Sequence, residues 1–266
     1  MQVDMEMQMT SKTQNRFGLP VSRISRREMI AGGAAFAAAS ASYQPKLSTA
    51  QETLTMLPKA FVYTEVAISV PFEKAPWQEI NKSIRQQPGF LNKTWLQGQA
   101  TNSLGGFYAF DSLENAKAFV TEYFPGEPRS FGVAHNTRVF DAGIVQEAST
   151  DLASVHFGGP VKKNPGAFVY TELQLSVPFG GFDWKGRNQE LKEIEGLQNK
   201  VWLSGVSTNS LGGFDAFDTL DQALEFAINK FPLTAKRLGS AFYTRVFDAS
   251  ITGEASRQMK SPYYQA

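Results

Sequence analysis

From Ala60 onward, polar and apolar residues alternate, with Val62, Thr64, Val66, Ile68 and Val70 on one side of an extended segment and Phe61, Tyr63, Glu65 and Ser69 on the other. This period of two predicts a strand over residues 60–71, which Pro71 ends because proline cannot extend a ladder. The period then lengthens. Trp77, Ile80 and Ile84 recur at helical spacing behind Pro76, so residues 76–87 are expected to form an amphipathic helix that Pro88-Gly89 breaks. Phe90 to Gly98 is read as a second strand and Gly105 to Asp111 as a third, forming a hairpin through a polar loop at Asn102-Ser103. Ser112 is placed to cap a second helix with Leu113, Ala116, Phe119, Val120 and Tyr123 facing inward, and a last strand covers about 132–144. The order is β-α-β-β-α-β.

The same unit is written twice. Ala60-Phe61-Val62-Tyr63-Thr64-Glu65 recurs from Ala167, at an offset of 107, and Thr101-Asn102-Ser103-Leu104-Gly105-Gly106-Phe107 recurs from Thr208 without a gap between. Thr137-Arg138-Val139-Phe140-Asp141-Ala142 recurs from Thr244, and about half of the aligned positions are identical. The expected organisation is therefore repeat 1 over 60–149, a linker over 150–166, repeat 2 over 167–256 and a tail over 257–266. The fold class is α+β: two ferredoxin-like repeats, each with helices on one face of a four-stranded antiparallel sheet. The face formed by Val62, Val66, Ile68 and Val70, with Leu173, Leu175 and Val177 in the second copy, is too apolar to leave in water. It is expected to close sheet against sheet into an intramolecular dimeric α/β-barrel.

The first 59 residues have a different character. Arg26-Arg27 precedes a run of small residues from Ala31 to Ala41 that ends in Ala39-Ser40-Ala41, the pattern of a twin-arginine signal over 1–41. Residues 42–59 are read as a tether. The run is shorter than the roughly 20 apolar residues a membrane span needs, so the expectation is export to the periplasm or beyond with no stable membrane anchor after signal removal.

Composition narrows the chemistry. The 266 residues contain no cysteine and two histidines, His135 and His156, which removes thiolate nucleophiles and Cys-ligated metals and leaves too few imidazoles for a three-His zinc site. No metal and no cofactor are expected. Lys and Arg number 26 against 25 Asp and Glu, so no global field draws nucleic acid, and a small aromatic or hydrophobic molecule is the expected partner.

Pro88-Gly89-Phe90-Leu91-x-Lys93-x-Trp95, Gly105-Gly106-x-Tyr108-x-Phe110, Ala116 and Val139-Phe140-Asp141 together resemble the mono-oxygenase family of the YdhR type, within the dimeric α/β-barrel superfamily. The resemblance implies O2-dependent, cofactor-independent oxidation of a phenolic or quinol-like molecule, although relatives by fold also bind haem or only bind ligands. The sequence departs from the pattern at Asn92 and Asn199, where the family has Trp, and at Glu195 and Asp215 in the second copy.

Trp95 and Trp202 are candidates to stack on a planar substrate, with Asn92 and Asn199 holding an enolate oxygen, although an ideal strand puts Asn92 and Trp95 on opposite faces unless a bulge intervenes. Arg138 and Arg245 are candidates to clamp a phenolate. Their structural alternative is pairing with Glu65 and Glu172. Tyr63, Tyr170 and Tyr108 could donate hydrogen bonds to substrate. His135 could serve as a base or, in the third reading beside a non-catalytic exported binder, as a haem ligand. The Gly105-Gly106 and Gly212-Gly213 pairs do not lead into helices, so they are read as hairpin geometry rather than a phosphate loop.

Overall fold

A computed structural model describes residues 56–264, apart from 69, 102, 128–131 and 176. The twin-arginine signal and most of the tether lie outside the described residues. Both repeats belong to one compact unit.

Repeat 1 comprises β1 (Ala60–Ala67), α1 (Trp77–Ile84), β2 (Phe90–Gln97), β3 (Ser103–Phe110), α2 (Leu113–Ala118) continued by a π-helical turn (Phe119–Tyr123), and β4 (His135–Asp141), followed by α3 (Gln146–Asp151). Repeat 2 comprises β5 (Ala167–Gln174), α4 (Trp184–Lys192), β6 (Leu197–Ser204), β7 (Ser210–Phe217), α5 (Leu220–Glu225) with a second π-helical turn (Phe226–Lys230), α6 (Phe231–Arg237) and β8 (Phe242–Asp248), followed by α7 (Ala249–Gln258). Ser112 caps α2 as expected, accepting from the Asn115 N–H at 3.2 Å, and Thr219 does the same for α5.

The two antiparallel sheets have the orders β2-β3-β1-β4 and β6-β7-β5-β8, which is the ferredoxin-like arrangement twice over. The sheets meet face to face, but through the face opposite to the one expected. Val62 packs under the helices of repeat 1 with Val66 and Ile68 beside it, and Leu173 and Leu175 pack under those of repeat 2. Val70 and Val177 are exposed. The layer between the sheets is built instead from Phe61, Tyr63, Phe107 and Phe140 against Phe168, Tyr170, Phe214 and Phe247. Rings stack across this layer, as Phe107 does on Phe214 at 4.4 Å, and fill the space between the two sheets.

The edges of the two sheets also touch. Gly98 bridges to Phe247 and Phe140 to Gly205, and the Gln99 and Val206 N–H groups donate to Val246 and Val139 carbonyls at 2.8 and 2.9 Å. These contacts close the two sheets into a barrel.

The repeat relationship runs past residues 149 and 256. α3 and α7 lie at the same offset, both end at a left-handed residue (Ala153, φ 54°; Lys260, φ 56°), and both are followed by a serine whose N–H returns to the helix at 3.0 Å. Each of these helices crosses to the other repeat. The Ser256 Oγ of α7 accepts from the Trp95 N–H of β2 at 2.9 Å, and the Ser149 Oγ of α3 accepts from the Trp202 N–H of β6 at 2.9 Å. Linker and tail then enter the inter-sheet layer, where His156 and Tyr263 lie 5.4 Å apart. Among the described residues no helix is long and apolar enough to cross a membrane.

Candidate functional site

The candidate residues fall on two sides of the sheets. β-pairing decides which. Asn92 pairs with Ala109 and Trp95 with Gly106, so Asn92 shares a face with the inter-sheet side chains and Trp95 lies under the helices. A bulge does interrupt β2, but it falls between Phe90 and Asn92, and the strand is regular from Asn92 to Trp95. The same holds for Asn199 and Trp202. The backbone of the sheet therefore separates the tryptophans from the asparagines and arginines, and no single ligand touches both sets.

In the inter-sheet layer Tyr63 and Tyr170 stack across the two repeats at 4.0 Å, nearly parallel. Tyr63 Oη donates to Glu65 at 3.0 Å and Tyr170 Oη donates to Glu172 at 2.7 Å. Both arginines have the carboxylate partners named from the sequence, but each takes the one from the other repeat. Arg138 Nε reaches Glu172 at 3.3 Å and Arg245 Nε reaches Glu65 at 3.1 Å. Tyr243 Oη also donates to Glu65, at 2.8 Å. Burial works against ionising Glu65, yet hydrogen bonds from Ser103 and Tyr243 and the Arg245 charge together hold its carboxyl below the usual carboxylate range. Burial pushes both stacked tyrosines well above the ordinary phenol range. Asn92 Oδ1 and Asn199 Oδ1 are buried without a hydrogen-bond partner.

Under the helices each repeat buries a lysine that sequence reasoning did not single out. Lys93 Nζ sits 2.9 Å from the centre of the Trp95 ring and 4.9 Å from that of Tyr108, and among the described residues no carboxylate lies within ion-pair distance of it. Burial pulls its pKa well below the ordinary lysine value, with the Glu127 carboxylate opposing. Glu127 is itself pushed up by burial and accepts from Tyr123 at 2.8 Å. In repeat 2 the equivalent Lys200 has a direct partner, Asp215 at 2.7 Å, in the place of Tyr108. Burial pulls Lys200 down and Asp215 up, while their mutual attraction opposes both shifts. Each tryptophan is oriented by an asparagine of the facing helix: Trp95 Nε1 donates to Asn81 and Trp202 Nε1 to Asn188, both at 2.8 Å.

The glycine pairs have a role that the hairpin reading missed. A Cβ on Gly106 would stand 2.6 Å from Lys93 Cε, and one on Gly213 would run into Lys200 Nζ, so the second glycine of each pair makes room for a buried lysine. The signal lay in the sequence as a lysine two residues before Trp, on the same face of a strand and beside a glycine. Repeat 2 also holds a cavity of about 20 Å³ bordered by Lys200, Trp202, Leu211 and Phe226, room for about one water. His135 is exposed at the edge of the first sheet, 5.8 Å from Phe124. Among the described residues no group of three or more His, Asp or Glu could hold a metal ion.

Residues 65–152 match the family model described as putative mono-oxygenase ydhR. The match covers most of the first repeat. The matched stretch includes Pro88–Trp95 and Val139–Asp141, on which the resemblance was drawn, and it recurs in the chain at about half identity. No curated protein matches the chain. A solved structure described as an anthrone oxidase-like protein is similar over 72% of this chain and 91% of its own length, with 15% identity and a TM-score of 0.50. A putative monooxygenase from Fusobacterium nucleatum covers 73% of this chain and 93% of its own at 13% identity and a TM-score of 0.42. A mutant chlorite dismutase from Candidatus Nitrospira defluvii covers 77% and 100% at 11% identity and 0.43. The likeness to the anthrone oxidase-like structure is one of fold.

Proposed function

We propose that the protein is an exported monooxygenase that uses O2 and no cofactor to oxidise a planar phenolic or quinol-like molecule, with Lys93 as its base. The observation that carries this reading is the Lys93 amine, buried on the Trp95 face and, among the described residues, with no carboxylate within ion-pair distance. Burial lowers the proton affinity of this amine and so favours its neutral, proton-accepting form, and the ammonium formed on protonation is stabilised by the indole face beneath it. The phenolic O–H or the activated ring C–H gives its proton to Nζ, leaving an electron-rich anion. That anion transfers an electron to O2, and recombination forms a C–O bond as a hydroperoxide. Nζ returns its proton to the terminal peroxide oxygen to complete the hydroperoxide, and the remaining hydrogen of that carbon then leaves with the terminal hydroxyl as water, turning a CH2 into C=O, so that one oxygen atom enters the product and the other leaves as water. The ydhR match over residues 65–152 supports this reading, because it covers the strand that holds Lys93 and Trp95. The arginines and asparagines of the inter-sheet layer are not needed in this scheme.

The test is oxygen consumption with a panel of hydroxyanthrones, naphthols and quinols, run with and without air. Lys93→Met, nearly isosteric, is expected to lower turnover by about 100-fold or more while Lys200→Met changes it little. Absence of oxygen-dependent turnover on the whole panel by folded protein, or unchanged turnover in Lys93→Met, overturns the proposal.

A further inference from the structure

The two repeats build the same place in opposite ways. In repeat 1 the space between α1 and the end of the π-helical turn is bordered by Ile80, Tyr123, Glu127 and Ser83, with Tyr123 bonded to Glu127. At the 107-residue offset these positions become Arg187, Lys230, Thr234 and Glu190. There the space stays open as a groove of about 730 Å³ between α4 and α6, within the range of small-molecule sites.

Four cations line this groove, Arg187, Lys230, Lys236 and Arg237, against the single carboxylate of Glu190. The local balance is three positive charges in a chain whose formal net charge is +1. Glu190 accepts from Arg187 and, at 3.1 Å, from Arg237, so one carboxylate pins two guanidiniums side by side. Hydrogen bonds from Arg237 and Arg187 hold the Glu190 carboxyl below its ordinary range, so it stays ionised in this role. Each guanidinium keeps N–H donors beyond those given to Glu190. The apolar part of the lining is Ile194 and Leu233, and Leu233 is 64% exposed.

We propose that this groove binds a small organic carboxylate with an apolar body, its carboxylate on Arg187 and Arg237 and its body against Ile194 and Leu233. Two planar guanidiniums match a carboxylate fork, and an apolar wall beside them selects against small inorganic anions. The site belongs to repeat 2 and is independent of Lys93, so either assignment stands or falls alone.

The full chain is titrated calorimetrically with 1-naphthoate and with its uncharged counterpart 1-naphthalenemethanol. Saturable one-to-one binding of naphthoate is expected, with the alcohol at least about tenfold weaker, and with affinity reduced about tenfold by Arg237→Ala and by Lys236→Glu. Lys236→Glu changes only a groove-lining surface charge, so it decides the matter if Arg237→Ala fails to fold. No saturable binding, equal affinity for acid and alcohol, or undiminished affinity in Lys236→Glu overturns the proposal.

Discussion

His156 shows what burial does to a single residue. The segment that carries it has the composition of a linker, yet its ring lies 5.1 Å from Phe61 and 5.5 Å from Phe107, buried between the sheets with Nε2 unpartnered. Burial pulls its pKa down to about 3, so the folded protein holds a neutral imidazole. The unfolded chain binds a proton near pH 6.5 and the native state does not until about pH 3. Stability from this group is therefore fully present above 6.5 and is lost as pH falls toward 3, at up to about 1.4 kcal/mol per pH unit. Urea titrations at pH 7, 6, 5 and 4 are expected to show that decline, and His156→Phe is expected to flatten it by one proton's worth; an unchanged slope in the variant refutes the assignment. The chemical identity of candidate residues was legible in the sequence, but their surroundings were not. Nothing local marks His156 as buried, and nothing local tells Arg245 that its carboxylate stands 180 residues away on β1.

At the scale of elements, strand and helix order follow from period and punctuation, and the 107-residue offset makes the second sheet a consequence of the first. The face by which the sheets meet does not follow, because both faces of β1 are apolar enough to be buried. Nor was the true end of each repeat visible. Past Ser149 and Ser256 identity falls away, Thr150 against Arg257 and Asp151 against Gln258, while the geometry persists through Ser154 and Ser261. What persists is the protection of a sheet edge. β2 would present bare N–H and C=O groups at Lys93 and Trp95, a template for unwanted pairing. Instead the Met259 carbonyl accepts from the Lys93 N–H at 3.1 Å, Ser256 Oγ accepts from the Trp95 N–H, and Thr252 Oγ1 donates to the Trp95 carbonyl at 2.8 Å. Ser256→Ala leaves the Trp95 N–H buried without a partner and is expected to cost about 1–3 kcal/mol. Differential scanning calorimetry at neutral pH measures it. A loss within error of zero shows that α7 covers β2 by packing alone.

At the scale of the whole molecule, the repeats are held by reciprocal contacts that neither could make alone, and the carboxylates carry them. Glu65 receives hydrogen bonds from Tyr63 of its own strand and from Tyr243 and Arg245 of the other repeat. Glu172 receives bonds from Tyr170 and Arg138, and its side chain is more exposed, 15% against 9%. The Glu65 clamp is therefore expected to dominate. Its folded pKa lies below the ordinary carboxylate value, so its stabilisation is fully present above about pH 4.3 and is lost as pH falls through the lower, folded value. That window opens below about pH 4.3, whereas loss from His156 begins already below 6.5, so between these values only the histidine acts. Glu65→Gln keeps the shape but removes the charge, and charge-assisted bonds of this kind contribute about 1.5–3 kcal/mol. Urea unfolding at pH 7 is expected to show a loss of about that size for Glu65→Gln and a smaller one for Glu172→Gln. Below pH 4 the gap between Glu65→Gln and the parent is expected to close, because protonation does to the parent what the substitution has already done. Salt is expected to narrow it little, since the Glu65 side chain is buried. A gap that is absent at pH 7, or that persists undiminished at pH 3, shows that aromatic packing such as the Tyr63–Tyr170 stack joins the repeats without the carboxylate.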